Sequence, residues 1–127
     1  DTEVSRQVTS AIDLLERYQD TGRLGDIIVI HLGNNGAYRP KQIDKLMHVL
    51  GNERRVIFVN NKVPRYWENH NNRVLAKGLQ QYPNAVLIDW HGVSVDQPGL
   101  FWADGYHMRP EGARVYVDLI TTEVEKP

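Results

Sequence analysis

Three short, almost purely apolar runs recur about every 30 residues and limit what this chain can fold into. They occupy residues 26–32, 55–60 and 85–90 and are rich in β-branched side chains. Strands of this kind are typically covered on both faces, as in a parallel sheet. Amphipathic segments precede, separate and follow the runs, so helices and strands alternate along the chain. The pattern predicts an α/β fold, a three-layer α/β/α sandwich around a parallel sheet with right-handed crossovers.

Proline and glycine mark the ends of the helices between these runs. Pro40 is predicted to open the second helix, which Gly51 closes, and Pro110 to open the last helix. The segment from His91 to Trp102 is predicted to be a polar loop. The last helix is predicted to pack through one face that contains Ala113, Tyr116, Val117, Ile120 and Val124.

Length and composition exclude several classes of protein. With 127 residues the chain is predicted to be a single domain, residues 1–127. A formal net charge of −1, without a Lys/Arg cluster, argues against a nucleic-acid partner. The absence of cysteine excludes thiol catalysis, disulfides and cysteine-ligated zinc, and no cofactor is predicted. No apolar run approaches the length needed to span a membrane.

A carboxylate and an imidazole stand three residues apart, at Asp104 and His107, just before the helix that Pro110 opens. The helix N-terminus disfavours a positive imidazole, whereas an Asp104 carboxylate within reach favours it and holds the ring in one tautomer. A histidine balanced in this way can act as a general base near neutral pH. The competing interpretation is that Asp104 caps the helix and His107 is an ordinary loop residue.

Three polar segments are predicted to meet at one edge of the sheet. Gly33-Asn34-Asn35-Gly36 follows the first strand, Asn60-Asn61 the second, and the Asp104–His107 turn the last. In open parallel sheets, ligands bind beyond the carboxyl ends of the strands. The glycine-rich turn can bring N–H groups and an amide to a ligand oxygen, or its asparagines can simply tolerate left-handed turn geometry.

A metal site built from histidine is the weaker alternative at this edge. It would use His31, His91 and His107 with an aspartate, but their spacing matches no common ligand pattern. No metal is therefore predicted.

Two of the polar segments resemble motifs of the SGNH (GDSL-like) esterase family. Gly33-Asn34-Asn35-Gly36 resembles its Gly-x-Asn block, and Asp104-Gly105-Tyr106-His107 resembles its Asp-x-x-His block. The resemblance extends over nearly the whole chain. Residues 63–71 and 87–90 are similar to the extracellular SGNH-like domains of peptidoglycan O-acetyltransferases. The resemblance implies the family's flavodoxin-like fold. Such domains usually follow a membrane acyltransferase domain in a longer polypeptide, so the resemblance also implies a location at a bacterial cell surface.

The resemblance also implies roles for individual residues. His107 would be the general base and Asp104 the residue that orients it. Asn35 would donate to the oxyanion through its side chain, with backbone N–H groups of the Gly33 turn and of Ser5 as further donors.

Aromatic residues near these segments are candidates for a wall against which a sugar ring packs. They are Tyr66, Trp102 and Tyr106. Core packing is the competing interpretation for each aromatic residue, and we prefer it for Trp67.

The family's nucleophile, the serine of a Gly-Asp-Ser motif, has no counterpart in this chain. The serines present are Ser5, Ser10 and Ser94, of which Ser10 is predicted to lie within the first helix and Ser94 to be solvated. We therefore expect a fragment that lacks two N-terminal strands and is inactive alone. Its first strand would expose an apolar edge, to be covered by the missing segment or by a second copy in a homodimer.

The activity expected of the intact domain is acyl transfer through a serine acyl-enzyme. The acyl group would pass from an ester to water, as in an esterase, or to a hydroxyl of peptidoglycan-like carbohydrate, as in an O-acetyltransferase. The alternative is a non-catalytic module that binds carbohydrate or an anion at the same edge and has lost the nucleophile. It predicts that no serine lies near His107 and that the fold is complete within the 127 residues.

Overall fold

A parallel sheet of three strands forms the centre of the structure, a computed structural model that describes residues 6–127. The strands are β1 (Ile27–Ile30), β2 (Arg55–Val59) and β3 (Ala85–Ile88), and they lie side by side in chain order. The predicted α/β fold with a parallel sheet is confirmed. Each strand is shorter than the apolar run that contains it.

Helices cover both faces of this sheet, which explains why the strands read as continuous apolar runs. On one face Phe58 packs into a core with Ile43 and Leu46, and on the other Ile57 packs with Trp90. No helix in the described part of the chain is long and apolar enough to cross a membrane. The helices are α1 (Val8–Asp20), α2 (Pro40–Leu50), α3 (Glu68–Gly78), α4 (Trp90–Ser94) and α5 (Pro110–Val124), with 3₁₀ turns at Leu79–Gln81 and Pro98–Leu100.

The segment that follows β3 is more ordered than predicted. Instead of a polar loop over residues 91–102, α4 begins at Trp90, because the Asp89 side chain accepts a hydrogen bond from Gly92 N at 2.8 Å. Ser94 is fully buried rather than solvated, and its hydroxyl donates to the Trp90 carbonyl oxygen at 2.6 Å. The loop prediction was therefore wrong, because it overlooked Asp89 as a helix cap.

The outer edge of β1 is not covered by any described residue. Ile27 and Val29 remain 41% and 40% exposed. A groove of about 500 Å³ runs along this edge beside α1, where Ala11 and Leu15 line it. An apolar strand edge left open in this way is a surface on which a further strand can pair.

Helix α5 is anchored at its first turn by close contact with the Pro98–Leu100 turn. Gly112 is buried, and a Cβ atom there would collide with the last carbonyl oxygen of that turn. The same oxygen accepts a hydrogen bond from Arg109 N at 2.9 Å. Tyr116 packs against the sheet as predicted, but Val117 is 55% exposed, so its assignment to the packed face was wrong. Ala113 is exposed as well, whereas Val115 and Leu119 pack on the core, so the contact face of α5 is shifted from the predicted one.

Replacing Gly112 by alanine is expected to destabilise the domain. The new methyl group must displace backbone rather than a flexible side chain, so Gly112→Ala should lower the free energy of unfolding by about 1–3 kcal/mol. Gly99→Ala is the matched control, because a Cβ atom at Gly99 meets nothing within 4 Å. Urea denaturation of both variants measures the difference, and equal stabilities would show that α5 is not anchored at this contact.

Candidate active site

Asp104 shapes the turn that carries His107 and orients its ring. One carboxylate oxygen of Asp104 accepts hydrogen bonds from Tyr106 N at 3.0 Å and His107 N at 2.9 Å. The other carboxylate oxygen bonds the Nδ1 atom of the His107 ring. The N-cap position of helix α5 is occupied by Arg109, whose side chain makes no capping hydrogen bond. Asp104 therefore belongs to the turn and not to the helix cap.

The electrostatics of this pair suit an imidazole that exchanges protons at its other nitrogen. The pKa of the Asp104 carboxyl is lowered to about 2 by the Tyr106 N–H, then by the His107 ring and the His107 N–H. The carboxylate is thus ionised at neutral pH and accepts the Nδ1–H of the ring. The His107 side chain is 65% exposed, and no described residue bonds its Nε2 atom. Nε2 is open to a substrate.

Side chains of the α3 region hold the turn after β1 in place through hydrogen bonds to its carbonyl groups. The Gly33 carbonyl accepts hydrogen bonds from Trp67 Nε1 at 2.8 Å and from Asn71 Nδ2 at 3.1 Å. Asn71 Nδ2 also reaches the Gly36 carbonyl at 3.0 Å. Gly33 has a φ of +106°, and a Cβ atom there would collide with Asn61. Only glycine fits this position.

The two asparagines of this turn differ in what their side chains do. Asn34 is half-buried, and its Oδ1 atom lies 3.4 Å from Asn61 Nδ2. Asn35 is exposed, and its amide makes no hydrogen bond to a described residue. The Asn35 amide is therefore free to bind a ligand oxygen. Asn35 is also the residue that the sequence resemblance implies as the oxyanion donor.

Two consecutive residues after β2 connect the two candidate loops. Asn61 Nδ2 donates to the Leu32 carbonyl at 2.7 Å, at the start of the Gly33 turn. Lys62 Nζ donates to the Gly105 carbonyl at 2.8 Å, within the Asp104–His107 turn. The structure thus brings all three predicted polar segments to the same edge of the sheet.

The predicted aromatic residues surround the His107 turn unevenly. Tyr106 lies against the His107 ring, with 4.3 Å between ring centroids. Trp102 is half-exposed, and the Arg109 guanidinium lies 4.6 Å from its ring centroid. Tyr66 is 92% exposed and touches Trp67 edge-on. Trp67 is half-buried, and its indole N–H supports the Gly33 turn, which is more than the core packing we preferred for it.

None of the described serines is bonded to His107. Ser10 lies on the exposed side of α1, and the Ser94 hydroxyl is already bonded to Trp90. Ser5, predicted as a backbone oxyanion donor, lies outside the described residues. The described part of the chain supplies an imidazole, its carboxylate partner and a free amide, and none of its serines bonds that imidazole.

The histidines of the metal alternative have separate partners. His91 Nε2 lies 3.2 Å from Glu68, and His31 Nδ1 lies 2.8 Å from the Tyr116 hydroxyl. Burial lowers the pKa of His31 to about 4, so its ring is neutral. Within residues 6–127, no group of three or more His, Asp or Glu side chains is placed to hold a metal ion.

Sequence reasoning missed the side chains that hold the two loops in place. Asn71 is fully buried on α3, and Lys62 follows β2, but neither stands in a recognisable local pattern. The available signal was a run of polar residues, Asn69-His70-Asn71-Asn72, on a helix that must bury one face.

Comparison with known proteins identifies relatives over nearly the whole chain. No protein-family model matches. The chain is 32% identical over 120 residues to the putative peptidoglycan O-acetyltransferase YrhL of Bacillus subtilis, covering 94% of this chain and 19% of that protein. It is 30% identical over 126 residues to the O-acetyltransferase OatA of Staphylococcus aureus, covering 98% of this chain and 21% of that protein. The chain thus spans about a fifth of the length of these relatives.

A solved structure shares the fold of this chain. It is the C-terminal catalytic domain of the Streptococcus pneumoniae peptidoglycan O-acetyltransferase OatA, with a methylsulfonyl adduct. The TM-score is 0.78 at 23% sequence identity, and the match covers 94% of this chain and 74% of that domain. At this identity the match establishes the fold alone.

The Asp104 carboxyl is expected to titrate near pH 2, well below the usual value of about 3.9. Because the pKa is depressed in the folded state, its contribution to stability is present above about pH 4 and is lost as the pH falls towards 2. Carboxyl-carbon NMR of Asp104 measures the midpoint directly. A midpoint near 4 would mean that the turn does not hold the carboxylate as described.

Proposed function

Because the chain is an SGNH-like domain related to peptidoglycan O-acetyltransferases, we propose that it is the acyl-transfer part of a cell-surface enzyme. The enzyme moves an acetyl group through a serine acyl-enzyme onto a sugar hydroxyl of peptidoglycan, or onto water. The observation that carries the proposal is the open Nε2 of His107, whose Nδ1 is held by Asp104, at the sheet edge that also presents Asn35.

In the first half-reaction a serine hydroxyl attacks the carbonyl carbon of an acetyl ester. His107 Nε2 takes the hydroxyl proton and then gives it to the departing alcohol, leaving an acetyl-serine. Asp104 stays ionised, as its low pKa allows, and stabilises the imidazolium. Asn35 and backbone N–H groups of the Gly33 turn stabilise the oxyanion, at about 3 kcal/mol for each donor.

In the second half-reaction the acetyl group leaves the enzyme. An acceptor hydroxyl, from a sugar or from water, loses its proton to His107 Nε2 and attacks the acetyl carbonyl. The serine oxygen recovers that proton as the acetyl–oxygen bond breaks. The same base and the same oxyanion donors therefore serve both halves, and the acceptor decides between transfer and hydrolysis.

We place the nucleophile on a segment upstream of residue 1 in the parent polypeptide. The described serines do not reach His107, and β1 has an open apolar edge beside the Gly33 turn. A parallel strand paired with β1 would end at the same edge of the sheet as β1 and could present a serine there. The 127-residue chain is then a fragment of one domain and is inactive alone.

The relatives support a wider setting at the cell surface. They are about five times longer than the matched segment, and those named above include peptidoglycan O-acetyltransferases. We propose that the parent polypeptide also contains a membrane acyltransferase domain that delivers the acetyl group to this one, with peptidoglycan as the carbohydrate partner.

Replacing His107 by alanine is expected to abolish catalysis in the full-length protein. The wild-type protein should hydrolyse a small aryl acetate and be labelled by a serine-directed sulfonyl fluoride. His107→Ala removes the base that activates the serine, so turnover and labelling should both fall by at least about 10³-fold.

His48→Ala is the matched control, because His48 is exposed on α2 and bonds no described residue. It should retain both activities. Turnover that survives in His107→Ala would show that another group is the base. Failure of the wild-type protein to be labelled would instead favour the non-catalytic binding module.

Pairing of an upstream strand with β1 is expected to slow hydrogen exchange at alternate residues. The Asp26 carbonyl accepts from Arg55 N of β2, so the peptide groups of Ile27 and Val29 point to the open side. Their amide protons should exchange at least about tenfold more slowly in the full-length protein than in the 127-residue chain. Ile28 faces β2 and is the internal control, and equal exchange at Ile27 in both forms would contradict the added strand.

A further inference from the structure

His31 is a largely buried histidine that the proposed acyl-transfer mechanism does not use. It directly follows β1 and precedes the Gly33 turn. Its Nδ1 atom lies 2.8 Å from the hydroxyl oxygen of Tyr116 on α5, and the centroids of the two rings are 5.5 Å apart. The hydrogen bond joins segments that are 85 residues apart in the chain. It therefore links the loop that presents Asn35 to the helix that follows the His107 turn.

The Tyr116 hydroxyl is the donor in this hydrogen bond. Burial lowers the pKa of His31 to about 4 and raises the pKa of Tyr116 to about 12, so both side chains are neutral at pH 7. A neutral imidazole has one N–H group and one acceptor nitrogen. If Nδ1 carried the proton, the Tyr116 hydrogen and the Nε2 lone pair would both lack a described partner. With the hydroxyl as donor, only the Nε2–H group lacks one.

The stability of the fold does not explain why an imidazole occupies this position. The Nε2 atom of His31 is buried and has no hydrogen-bond partner among the described residues. A buried donor without a partner destabilises the folded state, whereas replacing both members of a buried polar pair by apolar groups of similar shape is close to neutral or stabilising. The pair is therefore better explained by what it holds in place.

The hydrogen bond connects the proposed oxyanion donor to the proposed base through short, stiff segments. Asn35 is four residues after His31. Tyr116 is six residues after Pro110, at which α5 begins, a distance of about 9 Å along the helix. A shift between β1 and α5 would change the distance between the Asn35 amide and the His107 ring. Both groups must reach the same reacting carbonyl, and a misplacement of about 1 Å can cost about a hundredfold in rate.

We propose that His31 and Tyr116 are positioning residues that set the distance between Asn35 and His107. This inference rests on the proposed function. The pair contacts neither the substrate nor the reacting atoms, and it acts through the Gly33 turn on one side and through α5 on the other. The unpaired Nε2–H group is the cost in stability of this link.

The test removes both polar groups together in the full-length protein. The double variant His31→Leu, Tyr116→Phe keeps the approximate size of both side chains. We measure kcat and KM for a small aryl acetate, and hydrogen exchange at the amides of the central strand β2, which reports unfolding of the whole domain. The value of kcat should fall about tenfold with KM unchanged, whereas exchange in β2 should stay the same or become slower, because the pair is not needed for stability.

Two further variants complete the comparison. His31→Asn retains a hydrogen-bond acceptor close to the position of Nδ1, so it should recover most of the wild-type kcat. Tyr82→Phe is the matched control, because it removes a tyrosine hydroxyl that bonds Asp44 just before β3, at the opposite end of the sheet. It should keep the wild-type kcat.

A positioning role and a purely structural role give opposite results. A wild-type kcat in the double variant overturns the proposal. A fall in kcat accompanied by faster exchange in β2 also overturns it, because the pair would then act only through stability. So does a His31→Asn variant that is as slow as the double variant.

Failure of the proposed function gives a different result from failure of the positioning role. A wild-type protein that does not hydrolyse the aryl acetate contradicts the acyl-transfer mechanism. Hydrogen exchange in residues 31–36 and 104–109 then decides the link. Exchange that is about tenfold faster in both segments of the double variant, with β2 unchanged, supports the link, and unchanged exchange in either segment overturns it.

Discussion

The geometry of the loops at the carboxyl ends of the strands depends on one buried amide, that of Asn71. Asn71 accepts a hydrogen bond from Tyr38 N at 2.7 Å and donates to the carbonyls of Gly33 and Gly36 and to Asn61 Oδ1. Each of these polar groups would cost about 1–3 kcal/mol if it were left buried without a partner. A single side chain on α3 thus satisfies the turn that presents Asn35 and ties it to the residue that follows β2.

Two neighbouring residues after β2, Asn61 and Lys62, each support one of the two loops. Successive residues of an extended chain point in opposite directions, so Asn61 reaches the turn after β1 while Lys62 reaches the turn before α5. The loops that carry the Asn35 amide and the His107 imidazole are therefore held by two residues that are neighbours in sequence. A shift of one residue in the register of β2 would disconnect both loops at once.

The sequence predicted the elements that depend on local chemistry and missed those that depend on distant partners. The strands follow from their apolar runs, α5 from Pro110, and the Asp104–His107 hydrogen bond from a spacing of three residues. Ser94 and Val117 were misplaced because their burial is decided by neighbours that no periodicity reveals. The role of Asn71 joins groups 33 to 38 residues away in sequence, and no local signal encodes it. The catalytic roles of His107, Asp104 and Asn35 remain predictions.

The open edge of β1 has a consequence for the order of events during biosynthesis. If the serine arrives on a strand that pairs with this edge, reactivity appears only when that pairing is complete. On the proposed mechanism, a chain in which this strand has not yet paired would hold the His107 imidazole and the Asn35 amide without an aligned hydroxyl. Such a chain would not react with esters, because assembly of the sheet and assembly of the catalytic centre would be a single event.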